Sequence, residues 1–100
     1  MYEDAVRDLI EMLDETADFL KRLNHYWSEE LKTLAGEAGE FLNNPNKKDY
    51  EEFFKKIEFV LFGKNQLGEL FVSAPAKREK FRVYINHLKE NYRTLKTAVS

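Results

Sequence analysis

The sequence predicts an all-α protein, a four-helix antiparallel bundle for which the up-and-down order is the simplest topology. Four stretches carry apolar residues at the three- and four-residue spacing of a helix face. Only four glycines and two prolines interrupt the 100 residues, too few for the tight turns of a β fold. The links between stretches are mostly short, as expected of neighbouring antiparallel helices. We therefore expect residues 1–100 to form one domain, with 43% apolar residues to build its core.

The first two helices are predicted over Tyr2–Leu23 and Tyr26–Leu42. Asn24 or Ser28 is the expected cap of the second helix, because short polar side chains accept hydrogen bonds from the free N–H groups of a first turn. The two glycines of this helix either weaken its helix propensity or let another backbone come close. Weakened propensity is the preferred explanation.

The third helix is predicted over Lys47–Phe62, with Asn46 or Asp49 as its cap. Phe59 and Phe62 fall outside its main apolar face. A helix that is apolar on more than one side either lies centrally in its domain or presents a patch to a partner.

The fourth helix is predicted to begin near Pro75 and to continue almost to the C-terminus, since proline is tolerated in a first helical turn. The connector, residues 63–74, has apolar residues of its own. Its pattern is too short to decide between a helical turn and an extended piece.

No recognisable catalytic or metal-binding pattern is present. The chain has no cysteine, which removes thiolate ligands and nucleophiles. His25 and His87 stand outside the usual helical metal-ligand spacings. Neither a serine-nucleophile motif nor a glycine-rich phosphate loop occurs. We therefore expect a protein that is not an enzyme and that needs no metal or cofactor.

Charge is divided unevenly along the chain. Residues 1–20 contain seven acidic residues and one basic residue, whereas residues 77–100 contain seven basic and two acidic residues. On each helix the charges follow helical steps. The acidic stripe consists of Asp4, Asp8, Glu11, Glu15 and Asp18. The basic stripe consists of Arg78, Arg82, Lys89, Arg93 and Lys96.

Two interpretations of these stripes remain open. They are either solvated faces, with the first and last helices side by side, or the acidic stripe binds a cationic partner. Surface ion pairs contribute only about 0–1 kcal/mol each, so such pairs would select helix pairing more than stabilise it. The solvated-face interpretation is the more conservative one. If Tyr26 and Trp27 are exposed, they are candidate anchors for the same partner.

The formal charge is −2, and no nucleic-acid motif appears, so nucleic acid is not an expected partner. No apolar run reaches the roughly 18 residues of a membrane span. The N-terminus lacks a basic-then-apolar signal pattern. The expectation is a cytoplasmic protein that does not bind membranes.

The order of several short motifs resembles a group of small uncharacterised bacterial helical proteins. The motifs are His25-Tyr26-Trp27-Ser28-Glu29-Glu30-Leu31, Asn43-Asn44-Pro45, Phe62-Gly63 and Leu67-Gly68-Glu69-Leu70. The resemblance covers residues 9–95. It departs at Lys64-Asn65-Gln66, where the group is richer in glycine, and at Gly68-Glu69, where the group has Asn-Asp. It implies a fold but no activity, since none is established for the group.

The functional hypothesis is a protein-binding module, most specifically a bacterial immunity protein that neutralises a toxin, by analogy with proteins of this size. The alternative is a self-associating structural or regulatory domain that uses Phe59 and Phe62. A small-molecule pocket among the aromatic residues is a third possibility. The oligomeric state stays open. The predicted partner-binding residues are Asp4, Asp8, Glu11, Glu15, Asp18, Tyr26 and Trp27.

Overall fold

Four helices account for most of the chain. The computed structural model describes residues 2–43 and 47–99, with α1 at Tyr2–Leu20, α2 at His25–Asn43, α3 at Lys47–Phe62 and α4 at Pro75–Val99. Helices α2 and α4 each pack against both α1 and α3, an arrangement consistent with an up-and-down antiparallel bundle. The described residues contain no strand. The all-α prediction is confirmed.

The core lies where the apolar faces of the four helices meet. Leu9 and Leu13 of α1 and Leu31 of α2 are completely buried. On the other side of the core, Phe53 of α3 and Leu88 of α4 are also buried. This pattern follows from the spacing of apolar residues, which places one face of each amphipathic helix inward. Every helix within residues 2–43 and 47–99 is too short or too polar to span a bilayer.

The turn between α1 and α2 begins earlier than expected. Helix α1 ends at Leu20, three residues before the predicted end, because the backbone closes two turn hydrogen bonds onto the Leu20 carbonyl, from the N–H groups of Leu23 and Asn24. The Asn24 side chain then accepts a hydrogen bond from the Trp27 N–H at 3.2 Å. Asn24 is therefore the cap of α2. The alternative cap, Ser28, is buried instead.

Ser28 joins α1 to α2. Its hydroxyl donates a buried hydrogen bond to the Ala17 carbonyl oxygen at 2.8 Å. The buried Ser28 hydroxyl thus has a hydrogen-bond partner inside the interface between the two helices. This contact places the flank of α2 that carries Ser28 against α1.

The two glycines of α2 have open space around them. A Cβ atom added at Gly36 or Gly39 would meet no atom of a neighbouring segment within 4 Å. No other backbone comes close, so the preferred explanation, a locally weakened helix propensity, agrees with the structure.

The predicted ends of α3 and α4 agree with the structure where it describes them. Helix α3 begins at Lys47, so Asp49 lies inside its first turn rather than at its cap. The other proposed cap, Asn46, lies outside the described residues, as do Asn44 and Pro45. Pro75 occupies the first position of α4. The N–H that proline lacks would have no partner within the helix at this position, so proline is tolerated there.

The connector contains a short 3-10 helix, Leu67–Glu69. Asn65 adopts a left-handed backbone conformation with φ of 60°, which asparagine tolerates better than most residues. Its N–H donates to the Glu69 carboxylate at 2.7 Å. Gly68 packs directly against the Leu61 carbonyl oxygen and leaves no space for a Cβ atom. Of the two conformations left open for the connector, a helical turn is the one observed.

Arg78 ties the end of the connector to α4. Its guanidinium donates hydrogen bonds to the carbonyl oxygens of Val72 at 2.8 Å and Ser73 at 3.1 Å. It also lies over the ring of Phe71, with Cζ 4.6 Å from the ring centre. One residue of the basic stripe thus has a structural role.

Two tyrosine hydroxyls are buried, that of Tyr50 in α3 and that of Tyr92 in α4, and Tyr92 has the charged side chains of Glu58 and Lys96 beside it. Neither the Tyr50 nor the Tyr92 hydroxyl has a hydrogen-bond partner within the described part of the chain. Burial disfavours the phenolate, and it raises the pKa of Tyr50 to about 12. Burial raises the pKa of Tyr92 as well.

Candidate functional site

The outer side of α1 carries the acidic stripe. Its five residues are all exposed to solvent, because the apolar residues of α1 occupy the opposite side of the helix and are buried. Asp4 and Asp18 are fourteen residues apart, so the stripe is about 21 Å long at the helical rise of 1.5 Å per residue. We call Asp4, Asp8, Glu11, Glu15 and Asp18 the acidic face.

One end of the acidic face is held by a lysine of α2. The Lys32 ammonium lies 3.3 Å from a carboxylate oxygen of Asp18 and 3.3 Å from one of Asp14. Hydrogen bonding to Asp18 and Asp14 raises the pKa of Lys32. All three side chains are substantially exposed, so the interaction is a solvent-screened surface pairing.

The middle of the acidic face has no such partner. Asp8, Glu11 and Glu15 form no ion pair with any residue in 2–43 or 49–99. Asp4 has only a contact with Arg7 on its own helix, at 4.0 Å. The centre of α1 therefore presents negative charge that the described residues leave uncompensated.

The basic stripe of α4 is turned towards α3 and the connector. Lys89 and Arg93 lie over the Phe62 ring, at 5.0 Å and 5.7 Å from its centre. Lys96 pairs with Glu58 of α3 at 3.6 Å. Together with the contact of Arg78 on the connector, these contacts place the stripe on the side of α4 away from α1.

Ring contacts and a hydrogen bond, rather than ion pairs, join α1 to α4, and the Lys80 ammonium of α4 lies 5.9 Å from the centre of the Phe19 ring. The Phe19 ring lies 5.2 Å from the Tyr84 ring and 6.4 Å from the Phe81 ring. The Asn91 amide donates a hydrogen bond to the Asp8 backbone carbonyl at 3.2 Å. Helices α1 and α4 do lie side by side, but no ion pair within the described ranges connects their charged stripes. The acidic face is directed towards solvent.

The two aromatic anchors predicted on α2 have different environments. Trp27 is 9% exposed and belongs to the core, whereas Tyr26 is 62% exposed. Their rings make an edge contact at 5.1 Å. Only Tyr26 is thus available as an exposed anchor. It lies on the flank of α2 that faces α3, whereas Lys32 lies on the flank of α2 that faces α1 and its acidic face.

A groove between α2 and α3 runs beside Tyr26. Its volume is about 360 Å³. Tyr26 stands on the α2 side and Phe59, 60% exposed, on the α3 side. The other lining residues are Trp27, Glu30, Thr33, Leu34, Glu37, Lys56, Val60 and Gln66. We call this feature the aromatic groove.

The sequence-based prediction did not find the aromatic groove. The pattern that marks it is the 4-3-4 spacing of Tyr26, Glu30, Thr33 and Glu37, which runs beside the apolar face of α2. This spacing places four side chains on one flank. It does not reveal which helix packs next to that flank, and so it leaves Phe59 out.

His25 and Glu29, four residues apart on α2, are a pair of side-chain types that can bind metal ions. Their side chains are 3.6 Å apart and exposed. Residues 2–43 and 47–99 contain no group of three or more histidine or carboxylate side chains arranged to hold a metal ion. The pair is an exposed contact within one helix.

No known protein family, curated protein sequence or solved structure matches this chain. The resemblance to small bacterial helical proteins stays a prediction. Function is therefore inferred from the surfaces of the protein alone.

Proposed function

We propose that this protein is a cytoplasmic protein-binding module whose acidic face binds a positively charged surface of a partner. The supporting observation is the exposed, uncompensated group Asp8, Glu11 and Glu15 at the centre of that face. A line of like charge on a rigid helix attracts an oppositely charged surface and selects against acidic ones. It raises the association rate most at low ionic strength.

The specific form of this proposal is an immunity protein that neutralises a cognate toxin. Small size and an acidic helix face support it by analogy. A physical reason supports it as well: a toxin that cleaves nucleic acid needs a basic surface to bind phosphates. An acidic face about 21 Å long is complementary to such a surface.

The test is affinity capture from the native host with charge-reversed variants. The test variant carries Asp8→Lys, Glu11→Lys and Glu15→Lys. A control variant carries Glu51→Lys, Glu52→Lys and Glu90→Lys, which changes the net charge equally at exposed acidic positions on α3 and α4. We expect the wild type and the control to bind the same partner. The test variant should bind it at least tenfold more weakly, with a reduced dependence on salt.

Two results would contradict the proposal. A partner that binds the test variant as tightly as the wild type uses another surface. If the control variant binds the partner as weakly as the test variant does, the partner responds to net charge alone. If the captured partner is a toxin, co-expression of the wild type should restore growth of cells that produce it, and co-expression of the test variant should not.

Self-association through α3 is the alternative function. Phe59 and Phe62 are 60% and 47% exposed, which supports an apolar contact between copies. The two rings have different surroundings, because the centre of the Phe62 ring lies 6.2 Å from that of Tyr92, whereas Phe59 borders the aromatic groove. Light scattering at high protein concentration tests this alternative, and a strict monomer would exclude it.

A further inference from the structure

Most exposed phenylalanine and tyrosine rings of this protein that stand away from the aromatic groove carry a cation of the same chain. The Phe71 ring is covered by Arg78 at 4.6 Å, and the Phe62 ring by Lys89 at 5.0 Å. These contacts are cation–π interactions, in which a positive charge is attracted to the electron-rich face of a ring. The chain thus supplies its own cations to the aromatic rings on the side of α4 and the connector.

The two rings at the aromatic groove are different. Tyr26 and Phe59 are 62% and 60% exposed, and no lysine or arginine of residues 2–43 or 49–99 lies over either ring. They stand on opposite sides of the groove, which Trp27 also lines. The groove therefore offers aromatic faces without a cation.

Carboxylates border the same groove. Glu37 is bound by Lys56 of α3 at 3.1 Å, which neutralises it. Glu30, two helical turns before Glu37 on the same flank and one turn after Tyr26, forms no ion pair with residues 2–43 or 49–99. The groove thus has an unpaired negative charge next to its unoccupied aromatic faces.

We propose that the aromatic groove binds an arginine side chain of a partner protein. The planar guanidinium stacks against Tyr26 and Phe59 while it donates hydrogen bonds to the Glu30 carboxylate. Arginine fits this combination better than lysine, because its charge is delocalised over a plane that both stacks on rings and matches a carboxylate fork. A volume of about 360 Å³ is large enough to admit an arginine side chain.

This proposal goes beyond the proposed function, because it assigns a second surface and the chemistry of its ligand. The groove lies between α2 and α3, whereas the acidic face lies on α1, on the other side of α2. Binding of a short peptide in the groove can therefore be measured whether or not the acidic face binds a partner, and either proposal can fail alone.

The test is a titration with blocked tripeptides in which binding is monitored by the fluorescence of Trp27. Trp27 is the only tryptophan of the chain and lines the groove, so its emission reports occupancy directly. The probe is acetyl-Gly-Arg-Gly-amide. Matched peptides carry citrulline, which keeps the shape without the charge, or norleucine, which is apolar. We expect saturable binding of the arginine peptide, with at least threefold weaker binding of each matched peptide.

Variants locate the site. Phe59→Ala and Glu30→Gln should each weaken binding of the arginine peptide about 3- to 10-fold. The matched control is Phe71→Ala, which removes a ring that is 73% exposed but remote from the groove, and it should leave binding unchanged. Circular dichroism of each variant checks that the helices remain formed.

Several results would overturn the proposal. Equal binding of the norleucine peptide would show that the groove is an apolar site. An equal loss in Phe71→Ala would show unspecific binding to aromatic residues. A protein dimer that Phe59→Ala dissociates would show that a second copy occupies the groove, and a lack of saturation at high peptide concentration would show that no arginine site exists.

Discussion

Replacing the two glycines of α2 by alanine should stabilise the protein. Gly36 and Gly39 lie in the interior of a 19-residue helix. A Cβ atom at either position would meet nothing within 4 Å outside the local helix. Alanine therefore introduces no clash, while it reduces the conformational freedom of the unfolded chain. Each substitution is worth about 0.5–1 kcal/mol.

The two effects should add approximately, because each comes from the backbone freedom of its own residue and neither new methyl group contacts a neighbouring segment. The double variant Gly36→Ala, Gly39→Ala should gain about 1–2 kcal/mol in the free energy of unfolding. For a domain of this size, 1 kcal/mol corresponds to about 4–8 °C in the midpoint of thermal unfolding. Urea and thermal unfolding followed by circular dichroism measure both quantities. The slope of the urea transition should stay unchanged.

The matched substitution is Gly68→Ala. Here the added Cβ atom would overlap the Leu61 carbonyl oxygen, so the same chemical change should destabilise the protein by at least about 1 kcal/mol. If Gly36→Ala and Gly39→Ala also lower stability, the reasoning is refuted. Another backbone would then pack closely on α2, which would require a contact between copies.

Two further substitutions test buried and connector interactions. Tyr50 loses its proton near pH 10 when unfolded and at about 12 when folded. Between these values the folded state binds more protons, so the free energy of unfolding falls as the pH rises, by up to about 1.4 kcal/mol per pH unit. Tyr50→Phe should remove this contribution, as measured by urea unfolding at pH 9–11. If the free energy of unfolding depends on pH equally steeply in the wild type and in Tyr50→Phe, the prediction is contradicted. Arg78→Lys loses the fork that holds Val72 and Ser73 and should cost about 1–2 kcal/mol, whereas Arg82→Lys, at an exposed pair with Glu79, should cost less than about 0.5 kcal/mol. Equal costs would contradict the structural role of Arg78.

The helices could be predicted because their apolar spacing and stop signals are local. The start of α4 at Pro75 follows from one residue with a strong backbone preference, and the cap of α2 was narrowed to Asn24 or Ser28 by their short polar side chains. The end of α1 was placed three residues late, because Leu23 continues the helical spacing. It lies in the turn and is 39% exposed, and no spacing rule separates a turn leucine from a helical one.

The candidate site could be predicted only in part, because exposure depends on which helices are neighbours. The spacing of the acidic face fixed its direction relative to the core of α1, and all five residues are exposed. Tyr26 and Trp27 are adjacent in sequence, yet one is exposed and the other buried, since successive residues point about 100° apart on a helix. Phe59 is part of a groove only because the flank of α2 that carries Tyr26 lies opposite it. That pairing is a property of the tertiary structure.

The two proposed surfaces constrain the shape of any partner that uses both. The acidic face borders the flank of α2 that carries Lys32, and the aromatic groove borders the flank that carries Tyr26. A compact partner can press against one of these flanks but not both, because the outer side of α2 lies between them. Suppose charge reversal at Glu11 and substitution of Phe59 weaken the same complex. The partner must then extend around α2, with a basic surface against α1 and an arginine reaching into the groove.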